Sequence, residues 1–143
     1  MDAMTFLRER VALFAGVTDE NLAGLAESSI LLPFNAGQTI LFKGATCDGL
    51  HVVVSGKAGV YMKSTNKTMV RIAELGEGEV FGEMSVVEMG TAGATIKADG
   101  NDTLVLMIPQ ESFRRVLQQD EAFAVRVNIL IISRRSAPTS VPA

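Results

Sequence analysis

Phe81-Gly82-Glu83-Met84-Ser85 and, starting ten residues after Gly82, Ala92-Gly93-Ala94-Thr95 form the stretch from which the fold of this chain is read. Gly82 and Gly93 permit close backbone approach and angles that bulkier residues avoid. Glu83 places a carboxylate between them. The surroundings are acidic: from Ile72 to Ile96 there are five glutamates, Glu74, Glu77, Glu79, Glu83 and Glu88, and no Lys, Arg or His. Any anion held here meets a carboxylate with no cation nearby in sequence.

Outward from that stretch the texture is of short segments rich in Val, Ile, Leu and Thr, punctuated by glycines from Gly37 to Gly100. Turns that frequent predict short antiparallel strands. The candidates are Ile30 to Phe34, Thr39 to Phe42, Leu50 to Val54, Gly59 to Lys63, Met69 to Glu74, Ala94 to Ala98 and Thr103 to Ile108, which favour a jelly roll or small barrel with an enclosed pocket. Helices flank them. Met4, Leu7, Val11 and Phe14 recur at helical spacing. After Gly16 a second helix starts with Thr18 as N-cap, Asp19 and Glu20 in its first turn, and Leu22, Leu25 and Ala26 as its buried stripe. Pro109 suits the first position of a helix marked by Phe113, Val116 and Leu117, and Phe123, Val127, Leu130 and Arg134 continue along another. The tail from Ser136, with two prolines, is expected to be disordered.

The 143 residues, 48% hydrophobic and 20% charged, describe one globular domain, residues 1–135, followed by the tail 136–143. A formal charge of -3 excludes a sequence-independent grip on nucleic acid, and the basic doublets Arg114-Arg115 and Arg134-Arg135 are expected on helix surfaces. One cysteine, Cys47, and one histidine, His51, cannot make an internal disulfide, a Cys/His zinc site or a catalytic triad. A non-enzymatic protein without cofactor or metal follows, with a reducing, cytoplasmic location as the economical reading. No apolar run is long enough to span a membrane.

The order of elements, with Phe81-Gly82-Glu83 at its centre, resembles the cyclic-nucleotide-binding domain, as found in catabolite activator and in the regulatory subunit of protein kinase A. Leu13-Phe14-Ala15-Gly16-Val17-Thr18, Phe34-Asn35-Ala36-Gly37-Gln38-Thr39-Ile40, Lys43-Gly44, Val52-Val53-Val54-Ser55-Gly56 and Ile72 through Glu83 fit it in order. The resemblance spans nearly the whole chain. It implies an eight-stranded antiparallel β-roll with N-terminal helices and two C-terminal helices. It also implies a ribose and phosphate cradle of Gly82, Glu83, Met84, Ser85, Ala92, Gly93, Ala94 and Thr95. Glu83 would accept a hydrogen bond from the ribose 2′-hydroxyl, and backbone N–H groups of both arms would face the ligand.

One family residue is missing. The second half of the motif reads Pro-Arg-x-Ala-Thr in the family, with the arginine clamping the cyclic phosphate, and the position is Ala92 here. The residue after it, Ser or Thr in many members, is Gly93. The resemblance therefore implies that cyclic AMP or cyclic GMP is bound weakly or not at all, or that the ligand is a less anionic small molecule. Arg71 and Lys97 lie in strands and are expected on the outer face. Val70 and Ile72, with Met69, are candidates for an apolar wall against a base, one alternating face of them serving as core. Phe123, Val127 and Leu130 on one side of the last helix, and Val125, Ile129 and Ile132 on another, suggest a homodimer through that helix, and Arg126, Arg134 or Arg135 of a partner could lie across the pocket mouth. The function read from the sequence is a stand-alone ligand-sensing regulatory module acting on an unknown effector protein. The alternatives are a ligand-free interaction or dimerisation domain, or the detached sensor half of a transcription regulator, since no helix-turn-helix follows.

Overall fold

The computed structural model describes residues 2–83 and 91–135, Arg135 by its backbone alone. The chain begins with α1 (Ala3–Arg10), a short 3-10 turn (Ala12–Phe14) and α2 (Asp19–Ser28). Eight strands follow: β1 (Ile30–Phe34), β2 (Thr39–Leu41), β3 (Gly49–Ser55), β4 (Ala58–Lys63), β5 (Met69–Leu75), β6 (Val80–Phe81), β7 (Thr95–Ala98) and β8 (Thr103–Pro109). Helices α3 (Gln110–Gln119) and α4 (Glu121–Arg135) close it. The strands form two four-stranded sheets, in the orders β1-β8-β3-β6 and β2-β7-β4-β5, and every named pairing is antiparallel. This is the β-roll that the sequence implies. The eighth strand, β6, escapes a sequence reading because it is two residues long and pairs only His51 with Phe81 and Val52 with Val80.

Two other boundaries differ from the sequence expectation. The apolar period from Met4 to Phe14 spans two elements, because Val11 leaves helical angles (φ -115°, ψ 106°) and the chain tightens into the 3-10 turn. The Leu13 carbonyl so released accepts from Arg126 Nε of α4 at 3.1 Å. Pro109 ends β8 and stands just before α3 rather than inside it. Caps behave as elementary chemistry dictates. Thr18 Oγ1 accepts from Asn21 N–H at 3.2 Å, and Asp120 Oδ1 accepts from Phe123 N–H at 3.0 Å, each contribution being worth about 1 kcal/mol.

The core has two parts on either side of the first sheet. Toward the helices, Leu50 and Val52 of β3 and Leu106 and Ile108 of β8 pack with Leu7, Phe14, Leu22, Phe113, Phe123 and Val127. Inside the roll, Val53 and Val105 join Ala58, Leu75, Phe81 and Ile96. The rings of Phe14 and Phe123 stack at 5.3 Å, and Phe113 meets Phe123 edge-on at 5.6 Å. Phe123, wholly buried, thus ties the last helix to both ends of the chain. Phe123→Ala should lower the unfolding free energy by about 3 to 5 kcal/mol, whereas Val125→Ala, on the solvent side, should change it by less than about 0.5 kcal/mol. Urea unfolding of the two variants measures both.

Candidate functional site

Gly82 follows β6 with φ +86°, and a Cβ there would lie 3.0 Å from Cys47 Sγ and 3.1 Å from the Gly49 carbonyl oxygen. Position 82 therefore demands glycine twice, through its backbone angle and through the closeness of β3 and the loop before it. Gly93 does not share this need. It is exposed, its Cβ would meet nothing, and its φ is ordinary.

Glu83, the next residue, is buried to 1% exposure. Arg134 of α4 lies directly on it, with Nη1 2.7 Å from Oε1 and 2.8 Å from Oε2, while Nη2 donates to the Val80 carbonyl of β6. Burial pushes the Glu83 carboxyl above its ordinary value, opposed by the Arg134 charge and its hydrogen bond. Arg134 was expected on the helix surface or in a partner's site, and it is turned inward within its own chain. The signal was present: it falls on the stripe of Phe123, Val127 and Leu130, where a cation on a buried face requires an anion opposite.

The second arm is bound to the loop after β2. Ala92 is 4% exposed, donates its N–H to Ala45 O at 2.9 Å and accepts from Gly44 N–H at 2.8 Å, and Thr91 bridges Thr46. Thr95 Oγ1 accepts from Lys43 N–H at 3.1 Å. The main chain of Ala92 and a lone pair of Thr95 are thus engaged by protein. Ala94 is half-buried beside them. Met84 and Ser85 lie outside the described residues, as do Glu88 and the tail 136–143.

The wall proposed for a base is split. Val70 pairs with Met62 and is half-buried, but the register shifts between Val60 and Tyr61, leaving Ile72 unpaired and 39% exposed. A bulge of this kind puts the two residues out of the alternation that a straight strand would give them. Arg71 and Lys97 occupy the outer face with Tyr61. Arg71 reaches Glu74 and Asp99 at 2.9 Å each, the Tyr61 hydroxyl donates to Asp99 at 2.6 Å, and Lys97 lies over the Tyr61 ring.

The apparent excess of carboxylates is an effect of counting along the chain. Glu74 pairs with Arg71 and Lys57, Glu77 with Arg10, and Glu83 with Arg134, while Glu79 accepts from Gly76 N–H. The last helix is equally divided by the structure. Phe123 and Val127 belong to the monomer core, and Leu130 packs against it, so these three are not the exposed face. That face is Val125, Ile129 and Ile132, at 52, 61 and 63% exposure. Two clefts of about 410 and 440 Å³ open among the described residues without either arm lining them, one between α1 and the first sheet, the other where α4 meets the 3-10 turn, bordered by Val80 and Arg134. Among the described residues no three metal-ligating side chains gather, and no helix is long and apolar enough to cross a membrane.

His51 sits beneath Gly82, its ring stacked on Phe81 at 4.9 Å, and its buried Nδ1 has no hydrogen-bond partner of adequate geometry. Burial lowers its pKa from 6.5 to about 4, against the opposing effects of the Gly49 carbonyl and Asp48. The unfolded chain therefore binds the proton first as pH falls. The contribution of neutral His51 is complete above about pH 6.5 and is lost down to about pH 4, a change of up to about 3 kcal/mol. Glu83, with its raised value, acts in the opposite sense at acid pH. The difference between wild type and His51→Gln in urea unfolding at pH 7 and pH 4.5 isolates the histidine: wild type should lose more stability on acidification than the variant.

Residues 31–120 match the family described as the cyclic nucleotide-binding domain. Lysophospholipase nte1 of Neosartorya fischeri is 31% identical over 103 residues, 72% of this chain and 7% of that protein. Glutaminase 2 of Bradyrhizobium diazoefficiens is 32% identical over 126 residues, 87% of this chain and 19% of that protein. The chain thus spans less than a fifth of the length of these curated relatives. The crystal structure of the Thermus thermophilus catabolite activator protein superposes with a TM-score of 0.74 at 26% identity, covering 85% of this chain and 57% of that one.

Proposed function

The chain belongs to the cyclic nucleotide-binding domain family, and from that premise we propose that it is a ligand-sensing regulatory module that binds cyclic AMP or cyclic GMP weakly or not at all. One observation carries the proposal. The two polar groups that a cyclic nucleotide needs from side chains are missing or engaged, since position 92 is a buried alanine and both oxygens of Glu83 are held by Arg134. A charge-assisted hydrogen bond contributes about 1.5 to 3 kcal/mol. Loss of a bidentate phosphate clamp therefore lowers affinity by at least about 10 to 100-fold. The matched pieces of the lysophospholipase and the glutaminase are small fractions of those proteins, which supports a regulatory appendage rather than a catalytic unit.

Calorimetric titration of wild type with cyclic AMP and cyclic GMP at physiological salt should show dissociation constants weaker than about 10 micromolar, or no heat. Ala92→Arg should strengthen binding measurably, its guanidinium supplying the absent clamp. Tight binding by wild type would refute the proposal and require another cation.

A second reading, protein contact without a small ligand, is favoured by the exposed face of α4. Val125, Ile129 and Ile132 follow one another at i, i+4 and i+7 and form one apolar stripe, continuing the helix that the core already holds on its other side. On this reading the occupant is a second copy of the chain, helix against helix. Sedimentation at about 100 micromolar should give a dimer for wild type and a monomer for Ile129→Glu, with the same unfolding midpoint for both folds at low concentration; a monomeric wild type removes this reading.

A further inference from the structure

Past Ile131, which is buried, α4 turns Ile132 and Ser133 outward and brings Arg134 down on the first sheet. The pair it makes is asymmetric. The Glu83 side chain is 2% exposed, whereas that of Arg134 is 31% exposed. Among the described residues the arginine is the group that holds both carboxylate oxygens, and its own partial exposure gives the guanidinium a way into water once another donor takes the carboxylate, leaving one carbonyl contact at Val80 behind. Removing a cation from a buried carboxylate is strongly unfavourable unless another donor takes its place. Exchange of donors at Glu83 is accordingly the favourable route, and simple opening is not.

We propose that Arg134 and a ligand hydroxyl compete for Glu83, so that the last turn of α4 is docked when the carboxylate is free of ligand and released when it is taken. Arg134 is then a specificity-determining residue. It sets a threshold that a neutral hydroxyl donor must exceed, because a guanidinium bound to both carboxylate oxygens is the stronger partner. It also couples the site to whatever follows Arg135 in the chain, since the same contact that guards the carboxylate fastens the helix end. The ligand half of this inference rests on the regulatory reading above; the helix half rests only on the geometry of the pair.

The two halves are tested separately. Hydrogen exchange of the backbone amides of residues 130–135 is compared in wild type, Glu83→Gln, Arg134→Gln and the double variant, without ligand. Each single change should accelerate exchange by about 10-fold, and the double should go no further than the larger single, as for one shared contact. The double variant, whose two amides leave no unpaired charge, guards against failure of a single variant to fold. Unchanged exchange, or effects that add, overturns the latch.

In the Ala92→Arg background, Arg134→Gln should strengthen cyclic AMP by about 10-fold and leave 2′-deoxy cyclic AMP unchanged, because only the former has a hydroxyl to offer Glu83. Equal gains for both nucleotides, or none for either, overturn the competition. If Ala92→Arg itself binds neither nucleotide, the regulatory reading fails at the arm, and the exchange measurement alone decides whether the latch exists.

Discussion

Strands β3 and β8 are covered on both faces, and most of the architecture follows from that constraint. Leu50, Val52, Leu106 and Ile108 face the helices, while His51, Val53 and Val105 face the interior of the roll. A single sheet is therefore the floor of the roll and the bed for helices α1 to α4. Close-packed interiors transmit displacement rather than absorb it. A shift of α4 against Phe14 and Phe113 must be accommodated in the same two strands whose opposite side touches Phe81 and Gly82. Helix position and the setting of Phe81 and Gly82 are consequently linked by construction, and the Glu83 to Arg134 ion pair adds a direct polar connection across the edge of that sheet, where β6 pairs with β3.

The ion pair also shows which of two opposing electrostatic effects prevails at Glu83. Burial favours the neutral acid, and Arg134 favours the carboxylate. Burial is the larger, so the carboxyl titrates above its ordinary value even with a cation at 2.7 Å. A buried pair of this sort is weak evidence for stability, because desolvation of both partners offsets much of their attraction. Its consequence is specificity of arrangement. It fixes where the helix end sits and what may approach the carboxylate, at little net gain in folding free energy.

Much of the fold was legible because local rules and the global pattern agree. Thr18 and its acidic first turn, the glycine at 82 with its positive φ, and the apolar alternation of β3 and β8 each point the same way on their own. What was not legible was long-range in sequence. The carbonyl of Leu13 in the 3-10 turn at Ala12–Phe14 is met by a guanidinium 113 residues away, the bulge at Ile72 follows from the register with β4, and strand β6 is defined by its pairing with β3. Apolar period cannot report these, since none alters the spacing of apolar side chains. At the candidate site the reading located Gly82 and Glu83 by motif. The freedom that it ascribed to Gly93 is not used by the backbone there, and it placed Arg134 on the surface, because a helix stripe that ends in a cation reads as amphipathic whether or not an anion waits below it.

The same point governs the charge argument. Between Ile72 and Ile96 the chain supplies carboxylates only, and a local count makes that stretch a repellent surface for any anion. Folding brings Arg10, Lys57 and Arg134 to Glu77, Glu74 and Glu83 from elsewhere in the chain, and Arg71, which borders the stretch, also reaches Glu74. Three of these cations lie at exposed pairs, where salt and water screen them and their contribution is small. Of these three glutamates only Glu83 is removed from solvent, so only there does the pairing bear on access as well as charge. On the proposed reading, the obstacle to a cyclic nucleotide is therefore not a field of unopposed glutamates but the absence of a guanidinium at Ala92, on the arm expected to face the phosphate, combined with the presence of one at Glu83, expected to face the sugar.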